Sequence, residues 1–401
     1  MISSEVVEDL VVKADTKIVL VVMDGLGGLP HPGSRLTELE SARTPNLDKL
    51  ARRGMLGLID PIAQGITPGS GPAHLALFGY DPFRYQIGRG AVAAFGIGFD
   101  MHRGDVAVRI NFATIDENGN ITDRRAGRIP TEKNAELCKI LRKIKIEGVE
   151  VFIEPVKDHR GVVIFRGEGL YPELSDTDPQ AVGVPPKRVE ALDPRAERAA
   201  EIANEFIAKA REALKDQHPA NMILMRGFES CPEVPSMEEV YGLRCAAIAV
   251  YPDYKGMARI VGMDVLEAGS TVAEEVATLE DSYDKYDFFF FHVKPTDSSG
   301  EDGNFEGKSK VIEEVDSYIP RIARLNPEVL IVTGDHSTPS LFKAHSWHPV
   351  PFMMVGKWVR PDDVKEFSET ACARGSLGRF PATEVMALAM AHAERLVKFG
   401  A

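Results

Sequence analysis

Three segments far apart in the chain decide the fold: LVVMDG at 20–25, FFFFHVKPTDSSGED at 288–302 and LIVTGDHS at 330–337. Each begins as an apolar run of strand length, which is typical of a strand buried on both faces of a parallel sheet. Each then places a carboxylate at or just past the carboxyl end of the strand, where a doubly wound sheet gathers its ligand-binding groups. The pattern therefore predicts a metalloenzyme.

The length of the chain predicts two domains, because 401 residues exceed the size at which a single hydrophobic core keeps growing. Buried-strand and helix patterns recur towards both ends, whereas the middle mixes strand-like pieces with a long charged helix near 187–215. We predict a metal-binding core domain of residues 1–82 plus 261–401 and an inserted substrate-binding domain at 83–260. The expected fold class is α/β, a doubly wound and mostly parallel sheet with an inserted second α/β domain.

Composition and charge exclude several classes of partner. A formal charge of −13 argues against nonspecific binding to nucleic acid or to an anionic membrane, since both need a net basic face. The N-terminal residues are acidic where a signal peptide would be basic, and no apolar run has the length of a membrane span. The four cysteines have no close spacing, which is typical of a reducing compartment. We therefore expect a cytoplasmic protein with neither nucleic-acid nor membrane partners, and the oligomeric state stays open.

Carboxylates and histidines at strand ends are the candidate metal ligands. Asp24 precedes Gly25 at the end of an apolar strand, a position that also suits an ordinary turn. Asp335 and His336 follow VLIVTG and offer one oxygen and one imidazole nitrogen, a pair that suits a divalent transition metal. A turn followed by a surface histidine is the alternative for that pair.

Two further pairs of residues strengthen the metal hypothesis. Asp297 and Glu301 are four residues apart in one loop, and His345 and His348 are three apart in another. Each pair alone suits a solvated loop face. Together with the strand-end residues they favour a metal site.

Ser70, in ITPGSGPAHLALFGYDP at 66–82, is the candidate nucleophile. Pro72 favours the first helical turn, so we expect Ser70 at or beside the N-cap of a helix, where amide groups attract an anion such as a phosphoryl group. A serine must be activated by a base or a metal, and no GxSxG motif surrounds it. The alternative is that Ser70 only caps the helix. We expect His74, four residues later, to brace that helix.

Together, these motifs resemble a known family. VVMDG, TPNLDKLA, TPGSGPAH, TDSSGED and TGDHSTP with AHSWHPVP are similar to the alkaline phosphatase superfamily, and closely to its cofactor-independent phosphoglycerate mutases of the archaeal type. GRGAVAAFGIG at 88–98, GDVAVRINFATID at 104–116 and DRRAGR at 123–128 resemble the inserted region of that branch. The resemblance implies an alkaline-phosphatase-like fold and a metal-dependent isomerase that interconverts 2-phosphoglycerate and 3-phosphoglycerate through a phosphoserine, in glycolysis and gluconeogenesis.

The same resemblance implies two divalent metal ions. The first would be held by Asp24, Ser70, Asp335 and His336, and the second by Asp297, Glu301 and His345. The family has histidine where this chain has Glu301, and the extra carboxylate favours Mn²⁺ or Mg²⁺ over Zn²⁺. Mn²⁺ is the expected ion, with Mg²⁺, Zn²⁺ and Co²⁺ as alternatives. His348 or His292 are alternatives to Glu301 as a ligand.

Binding of a phosphoglycerate carboxylate and phosphate calls for arginine side chains. The candidate substrate-binding residues are Arg109, Asp123, Arg124, Arg125, Arg128, His159, Arg160, Arg226 and Lys255. About half of these cations are expected to be ordinary surface residues instead. The segment GNFEGKS at 303–309 is one residue short of a phosphate loop, and the acidic residues around it would repel a triphosphate.

Alternative functions remain open at this stage. A phosphomonoesterase, or a related phosphotransferase such as a homoserine kinase, would share the metal residues. A metal-binding protein without turnover is the third alternative, motivated only by Glu301.

Overall fold

The computed structural model describes residues 4–400 and divides the chain into two compact units. The first unit comprises residues up to 86 and from 234 onward, and the second comprises 87–233. The predicted return to the core domain at 261 is therefore too late. Residues 234–260 contain a strand that pairs with the central sheet of the first unit and a helix that packs on the helix beginning at Ser70, so they belong to that unit.

The strands, in chain order, are β1 (Ile18–Met23), β2 (Met55–Asp60), β3 (Val106–Ile115), β4 (Ile121–Asp123), β5 (Glu150–Lys157), β6 (Arg160–Arg166), β7 (Met222–Ser230), β8 (Cys245–Ile248), β9 (Asp264–Val265), β10 (Phe288–Val293), β11 (Val329–Thr333), β12 (Val350–Gly356) and β13 (Gly378–Pro381).

The α-helices, in the same order, are α1 (Ser4–Glu8), α2 (Glu38–Ser41), α3 (Pro45–Ala51), α4 (Ser70–Leu77), α5 (Arg89–Gly96), α6 (Thr131–Leu141), α7 (Glu197–Leu214), α8 (Met237–Tyr241), α9 (Pro252–Ile260), α10 (Val272–Ser282), α11 (Pro295–Glu301), α12 (Phe305–Arg324), α13 (Glu369–Cys372) and α14 (Val385–His392). Short 3-10 helices cover Ala126–Arg128, Pro194–Ala196, Tyr283–Lys285 and Ala382–Glu384.

The first unit is built on a mostly parallel sheet with the strand order β13-β2-β12-β11-β1-β10-β8-β9. Only β12 runs antiparallel to its neighbours among these strands of the described chain. The first strand lies in the middle and later strands are added on both sides, which confirms the predicted doubly wound α/β architecture. Strands β11, β1 and β10, which precede the predicted metal ligands, are adjacent and fully buried.

The register of these three strands determines where their following loops begin. Met23 lies opposite Val293 in β10, and Val22 lies opposite Thr333 in β11. The residues that follow the three strands therefore emerge at one edge of the sheet. The amide of Asp24 continues the pairing by donating a hydrogen bond of 3.0 Å to the carbonyl of Val293.

The second unit contains a five-stranded antiparallel sheet with the order β4-β3-β6-β5, in which β7 pairs with β3. Helices α6 and α7 bury their apolar faces in a shared core that includes Phe112, Leu137, Phe165, Phe206 and Ile223. The insertion therefore has its own hydrophobic core, as expected of an independent unit.

The longer predicted elements are present with shifted ends. The charged helix expected near 187–215 is α7, which begins only at Glu197, because residues 187–193 form a loop with one bridge between Leu174 and Ala191. Within residues 4–400 no helix is both long and apolar enough to cross a membrane.

Candidate metal centre and anion-binding cluster

Asp24, Asp335 and His336 form a buried group at the edge where β1 and β11 end, and their ligand atoms all lie within 4.8 Å of one another. His336 Nε2 is 3.4 Å from Asp24 Oδ1 and 3.2 Å from Asp335 Oδ2. All three side chains are fully buried. Asp335 is fixed through its other oxygen, which accepts a hydrogen bond of 3.0 Å from the amide of Gly25.

The two carboxylates of this group have opposite electrostatic surroundings. Burial raises the pKa of Asp335, and the negative charge of Asp24 raises it further. Burial opposes ionisation of Asp24 as well, but the positive charge of Lys294 holds the pKa of Asp24 well below its usual range. Two carboxylates placed this closely repel each other when both are ionised, and a divalent cation between them would relieve that repulsion.

A second group joins Asp297, His336 and His345, again with ligand atoms within 4.8 Å of one another. His345 Nε2 is 3.7 Å from Asp297 Oδ1, and the rings of His336 and His345 stack at 3.7 Å. The Nδ1 atom of His345 lies 2.9 Å from the carbonyl oxygen of Pro68. His336, expected in the first group only, thus contributes to both.

Ser70 is the first residue of α4, with Gly69 as N-cap, so it lies beside the N-cap as predicted. Its hydroxyl oxygen is 3.4 Å from His336 Nε2, which places it at the edge of the first group. His74 braces the same helix, since its Nδ1 atom lies 2.7 Å from the carbonyl oxygen of Ser70 and 3.4 Å from Asp335 Oδ2.

Glu301 does not join either group. It is the last residue of α11, and its side chain is exposed, whereas Asp297 on the same helix is buried. The inward position is taken by Gly300, where a Cβ atom would lie only 2.2 Å from the carbonyl oxygen of Thr338. The backbone of Thr338 therefore packs against α11 at Gly300, one residue before the exposed Glu301.

The two histidines considered as substitutes for Glu301 lie elsewhere. His348 stacks on Trp347 and places its Nδ1 3.0 Å from the hydroxyl of Ser346. His292 is buried behind the first group, with Nε2 3.6 Å from Asp24 Oδ2. Neither contributes to the Asp297 group.

Lys294 and Tyr254 contact the metal-ligand candidates and were not predicted. Lys294 Nζ is 3.0 Å from Asp24 Oδ2 and also pairs with Asp297 Oδ2. The hydroxyl of Tyr254 donates a hydrogen bond to Asp24 Oδ2, and its ring stacks on His292. The basic residue three positions before Asp297 was visible in the sequence, whereas nothing local to Tyr254 in α9 indicates this contact.

Lys308, in the segment GNFEGKS, has a structural role that does not involve phosphate. The side chain is fully buried, and Nζ donates to the carbonyl oxygens of Gly25 (2.7 Å), Gly27 (3.0 Å) and Thr338 (2.9 Å). All three ammonium protons are therefore used to hold together the loops that follow β1 and β11. Lys308 is therefore a structural residue that joins these two loops.

Unpaired oxygens in the first group test whether a cation fits. Asp24 Oδ1 and Asp335 Oδ2 are buried and have no hydrogen-bond partner among the described residues. A buried carboxylate oxygen without a partner is costly, and both of these oxygens face the same imidazole nitrogen. Oxygen and imidazole ligands suit Mn²⁺, Zn²⁺ and Co²⁺, so the residues present fit a divalent metal ion.

In the second unit, several predicted substrate-binding residues converge on His159. Burial, together with the positive charges of Arg160, Arg125, Arg109 and Arg128, lowers the pKa of His159 to about 4. A cluster of guanidinium groups in a chain with a charge of −13 creates a local positive potential, which would attract an anion. We call Arg109, Arg125, Arg128, His159 and Arg160 the arginine cluster.

The loop of DRRAGR has an unusual backbone conformation that Asp123 supports. Ala126, Gly127 and Arg128 have φ angles of 45°, 64° and 54°, in the left-handed region that residues with a Cβ rarely adopt. Asp123 accepts hydrogen bonds from the amides of Arg125 (2.8 Å) and Gly127 (2.6 Å). Asp123 thus shapes the loop that carries two members of the arginine cluster.

Three other predicted substrate-binding residues have protein partners. Arg124 forms a two-pronged ion pair with Asp178, at 2.8 and 2.7 Å, and Arg226 lies 3.6 Å from the same carboxylate. Arg226 is nevertheless the cross-strand neighbour of Arg109. Lys255 belongs to α9 of the first unit rather than to the insertion, and its Nζ is 3.9 Å from Glu267.

Comparisons of the sequence with known proteins agree on one family. The sequence model of a family described as 2,3-bisphosphoglycerate-independent phosphoglycerate mutase matches residues 51–221. A Thermus thermophilus protein named as a probable member of that family is 50% identical to this chain over 401 residues, covering 99% of each. A Thermotoga neapolitana protein with the same name is 53% identical over 397 residues, covering 98% of each.

Solved structures give a consistent result. A cofactor-independent phosphoglycerate mutase from Thermoplasma acidophilum is similar with a TM-score of 0.71 and 31% identity, covering 94% of this chain and 100% of that one. A Pyrococcus horikoshii protein is similar with a TM-score of 0.84 and 32% identity, covering 96% of this chain and 99% of that one. The similarity therefore extends over both units.

Proposed function

The chain belongs to the family of 2,3-bisphosphoglycerate-independent phosphoglycerate mutases, and from this premise we propose that it interconverts 2-phosphoglycerate and 3-phosphoglycerate with the help of divalent metal ions and through a phosphoserine at Ser70. The enzyme is then an isomerase that acts as an intramolecular phosphotransferase. The arrangement of Ser70 beside the two metal-ligand groups is the observation that carries the proposal.

Asp24, Asp335 and His336 would hold one metal ion together with Ser70, and Asp297 and His345 would hold a second, with His336 between them. Bound metal ions offset the negative charge that develops on the transferred phosphoryl group and help to deprotonate the serine hydroxyl. Mn²⁺ is the ion we favour, because oxygen ligands outnumber imidazoles in the first group.

Transfer to Ser70 is a substitution at phosphorus. A bond forms between Ser70 Oγ and phosphorus while the bond from phosphorus to the glycerate oxygen breaks. Ser70 loses its hydroxyl proton and the departing glycerate oxygen gains one, so phosphoserine and glycerate result. In the second half of the reaction the other hydroxyl group of glycerate takes the phosphoryl group and Ser70 regains its proton. Glycerate has to be retained between the two halves.

The arginine cluster of the second unit is proposed to bind the phosphoglycerate anion. Guanidinium groups match the geometry of carboxylates and phosphates, and Arg125 and Arg128 are exposed on a loop whose backbone is held by Asp123. Burial and the surrounding charges keep His159 neutral at neutral pH, so it would act there as a hydrogen-bonding group rather than as a cation.

A phosphoglycerate substrate places the reaction in glycolysis and gluconeogenesis, which we propose as the pathway. We also propose a cytoplasmic location, since the four cysteines are all free in the structure, as is typical of a reducing compartment.

A coupled assay tests the proposal. Purified protein loaded with Mn²⁺ is supplied with 3-phosphoglycerate, formation of 2-phosphoglycerate is followed with enolase, and free phosphate is measured in parallel. We expect turnover that does not need 2,3-bisphosphoglycerate and that is lost when EDTA removes the metal. Release of free phosphate without 2-phosphoglycerate would instead identify a phosphomonoesterase.

A further inference from the structure

We propose that Thr338 is a positioning residue that fixes the tautomer of His336 and links the two metal-ligand groups. The inference rests on the proposed metal sites and concerns a residue that contacts ligands of both. The hydroxyl oxygen of Thr338 is 2.6 Å from Asp297 Oδ1 and 3.0 Å from His336 Nδ1, and the side chain is fully buried.

Proton counting assigns the direction of each hydrogen bond. Asp297 Oδ1 accepts a hydrogen bond from the hydroxyl of Thr338, and Asp297 Oδ2 pairs with the ammonium group of Lys294. The short contact of 2.6 Å thus uses the hydroxyl proton of Thr338. A hydroxyl has only one proton, so towards His336 the same oxygen must accept, and Nδ1 of His336 must carry the hydrogen.

This tautomer leaves Nε2 of His336 with its lone pair free. Nε2 faces Asp24 Oδ1 and Asp335 Oδ2, neither of which has a hydrogen-bond partner among the described residues. Three electron-pair donors, one nitrogen and two carboxylate oxygens, then converge, which suits a cation. In the opposite tautomer Nε2 would donate a hydrogen bond to one of these oxygens and would not be available as a ligand.

The backbone around Thr338 leaves its hydroxyl little freedom to move. Its amide donates to the carbonyl oxygens of Gly25 (3.2 Å) and Gly27 (3.1 Å), and its own carbonyl accepts from Lys308. A Cβ atom at Gly25 would lie 2.6 Å from the Thr338 hydroxyl oxygen, so the absence of a side chain there creates the space that this hydroxyl fills. Thr338, in the loop that follows β11, is therefore held rigidly against the loop that follows β1.

Metal binding in matched variants tests the role of the hydroxyl group. Thr338→Val keeps the shape of the side chain and removes the hydroxyl, whereas Thr338→Ser keeps the hydroxyl. Mn²⁺ binding is measured by electron paramagnetic resonance of the free ion. We expect Thr338→Val to weaken Mn²⁺ binding by about 10- to 100-fold, as for other groups that orient a metal ligand. Thr338→Ser should remain close to wild type.

Thr333→Val is the control for the loss of a buried hydroxyl. Thr333 is also fully buried in the same segment. Its hydroxyl donates a hydrogen bond of 2.8 Å to the carbonyl oxygen of Pro351 and does not contact a candidate metal ligand. Thr333→Val should lose stability but keep its Mn²⁺ affinity. Equal Mn²⁺ affinity of wild type and Thr338→Val would overturn the proposed role of Thr338.

Nitrogen NMR of the histidines gives a second readout that does not depend on metal binding. In metal-free wild type we expect the proton of His336 on Nδ1, and a shift towards the Nε2 tautomer in Thr338→Val. A proton on Nε2 of the wild type would overturn the inference even if Mn²⁺ binds. Absence of Mn²⁺ binding to the wild type would contradict the proposed metal-dependent function, while the NMR spectrum would still decide the role of Thr338.

Discussion

The hydroxyl oxygen of Ser70 lies 3.4 Å from Nε2 of His336, the one histidine that belongs to both metal-ligand groups of the described chain. The two residues come from different parts of the sheet, since Ser70 begins α4 and His336 follows β11. A nucleophile at this distance from a nitrogen ligand can share the same metal ion.

Ser70→Ala should abolish phosphoryl transfer while leaving the fold and much of the metal binding intact, because the side chain is removed without disturbing the aspartates and His336. The coupled assay and an Mn²⁺ titration measure the two effects. Ser368→Ala is the control, since the Ser368 hydroxyl only caps α13 by accepting from the amide of Ala371. That variant should lose about 1 kcal/mol of stability and keep full activity. An active Ser70→Ala enzyme would contradict a phosphoserine mechanism.

Arg124 and Arg125 are neighbours with different predicted roles. Arg125→Ala should raise KM for phosphoglycerate by about tenfold or more, the equivalent of one charged hydrogen bond, with little change in stability or Mn²⁺ affinity. Arg124→Ala should instead lower the free energy of unfolding by about 1 to 3 kcal/mol, because it leaves the buried Asp178 without its two-pronged partner. Steady-state kinetics and urea unfolding separate the two. If Arg124→Ala and Arg125→Ala raised KM equally, the different roles predicted for the two arginines would be contradicted.

His159 should report on anion binding by NMR titration. Its pKa is lowered to about 4 by burial and by the surrounding guanidinium groups, so the free protein should keep this histidine neutral down to about that pH. A bound anion offsets the arginine charges and should raise the pKa. We expect an upward shift when phosphoglycerate or inorganic phosphate is added, and a smaller shift in Arg125→Ala. An unchanged pKa in saturating phosphoglycerate would show that the anion binds elsewhere.

Metal ions should stabilise the fold through the buried carboxylates. Saturating Mn²⁺ at 100 times its dissociation constant should add about 2.7 kcal/mol for one site, seen as a higher Tm. Asp335→Asn should remove this gain but should not destabilise the metal-free protein, because the amide relieves the repulsion that raises the pKa of Asp335. If Mn²⁺ raised the Tm of Asp335→Asn by as much as it raises the Tm of wild type, Asp335 would be excluded as a ligand.

Glu275 in α10 gives a pH dependence of stability that is unrelated to the active site. Burial raises its pKa to about 8, with a further contribution from Glu314, so the folded state keeps a proton that the unfolded chain releases near its usual value of 4.5. Stability should therefore fall as pH rises from 4.5 to about 8 and then level off. Glu275→Gln should have a higher free energy of unfolding than wild type at pH 8, and this difference should be smaller at pH 5.

Glu274→Gln is the matched control for that experiment. The pKa of Glu274 is lowered by its hydrogen bond with Thr271, so this carboxylate stabilises the protein above its unfolded pKa and loses that effect as pH falls. The amide can still complete the capping box. Urea unfolding at pH 5 and pH 8 compares the variants. A pH-independent difference between Glu275→Gln and wild type would contradict the raised pKa of Glu275.

Sequence patterns predicted those parts of the site that depend on strand ends. Asp24 and Asp335 follow continuous apolar runs, and such runs in an α/β chain become parallel strands whose carboxyl ends meet at one edge. The position of Ser70 beside an N-cap followed from Pro72. These are local properties, and they are visible without knowledge of distant contacts.

Contacts between distant segments were not accessible to the same reasoning. Tyr254 and Lys308 reach the loops that follow β1 and β11 from α9 and α12, and no spacing in the sequence connects them to those loops. Thr338 lies two residues after His336, but its contact with Asp297 joins positions 41 residues apart. Arg124 was predicted to bind substrate, because its partner Asp178 lies 54 residues away along the chain and the ion pair is not visible in the sequence. The boundary at 261 was placed too late because the short strand β8, at Cys245–Ile248, has too few residues for a clear pattern.

Rapid-quench phosphopeptide mapping of the Mn²⁺-loaded enzyme during turnover of 3-phosphoglycerate tests the central claim most directly. The account predicts one phosphoryl group on Ser70, in the peptide that spans 66–82, and its absence from Ser70→Ala. The phosphoryl group should be lost again when excess glycerate is added. Rapid formation of 2-phosphoglycerate with Ser70 never phosphorylated would contradict the account.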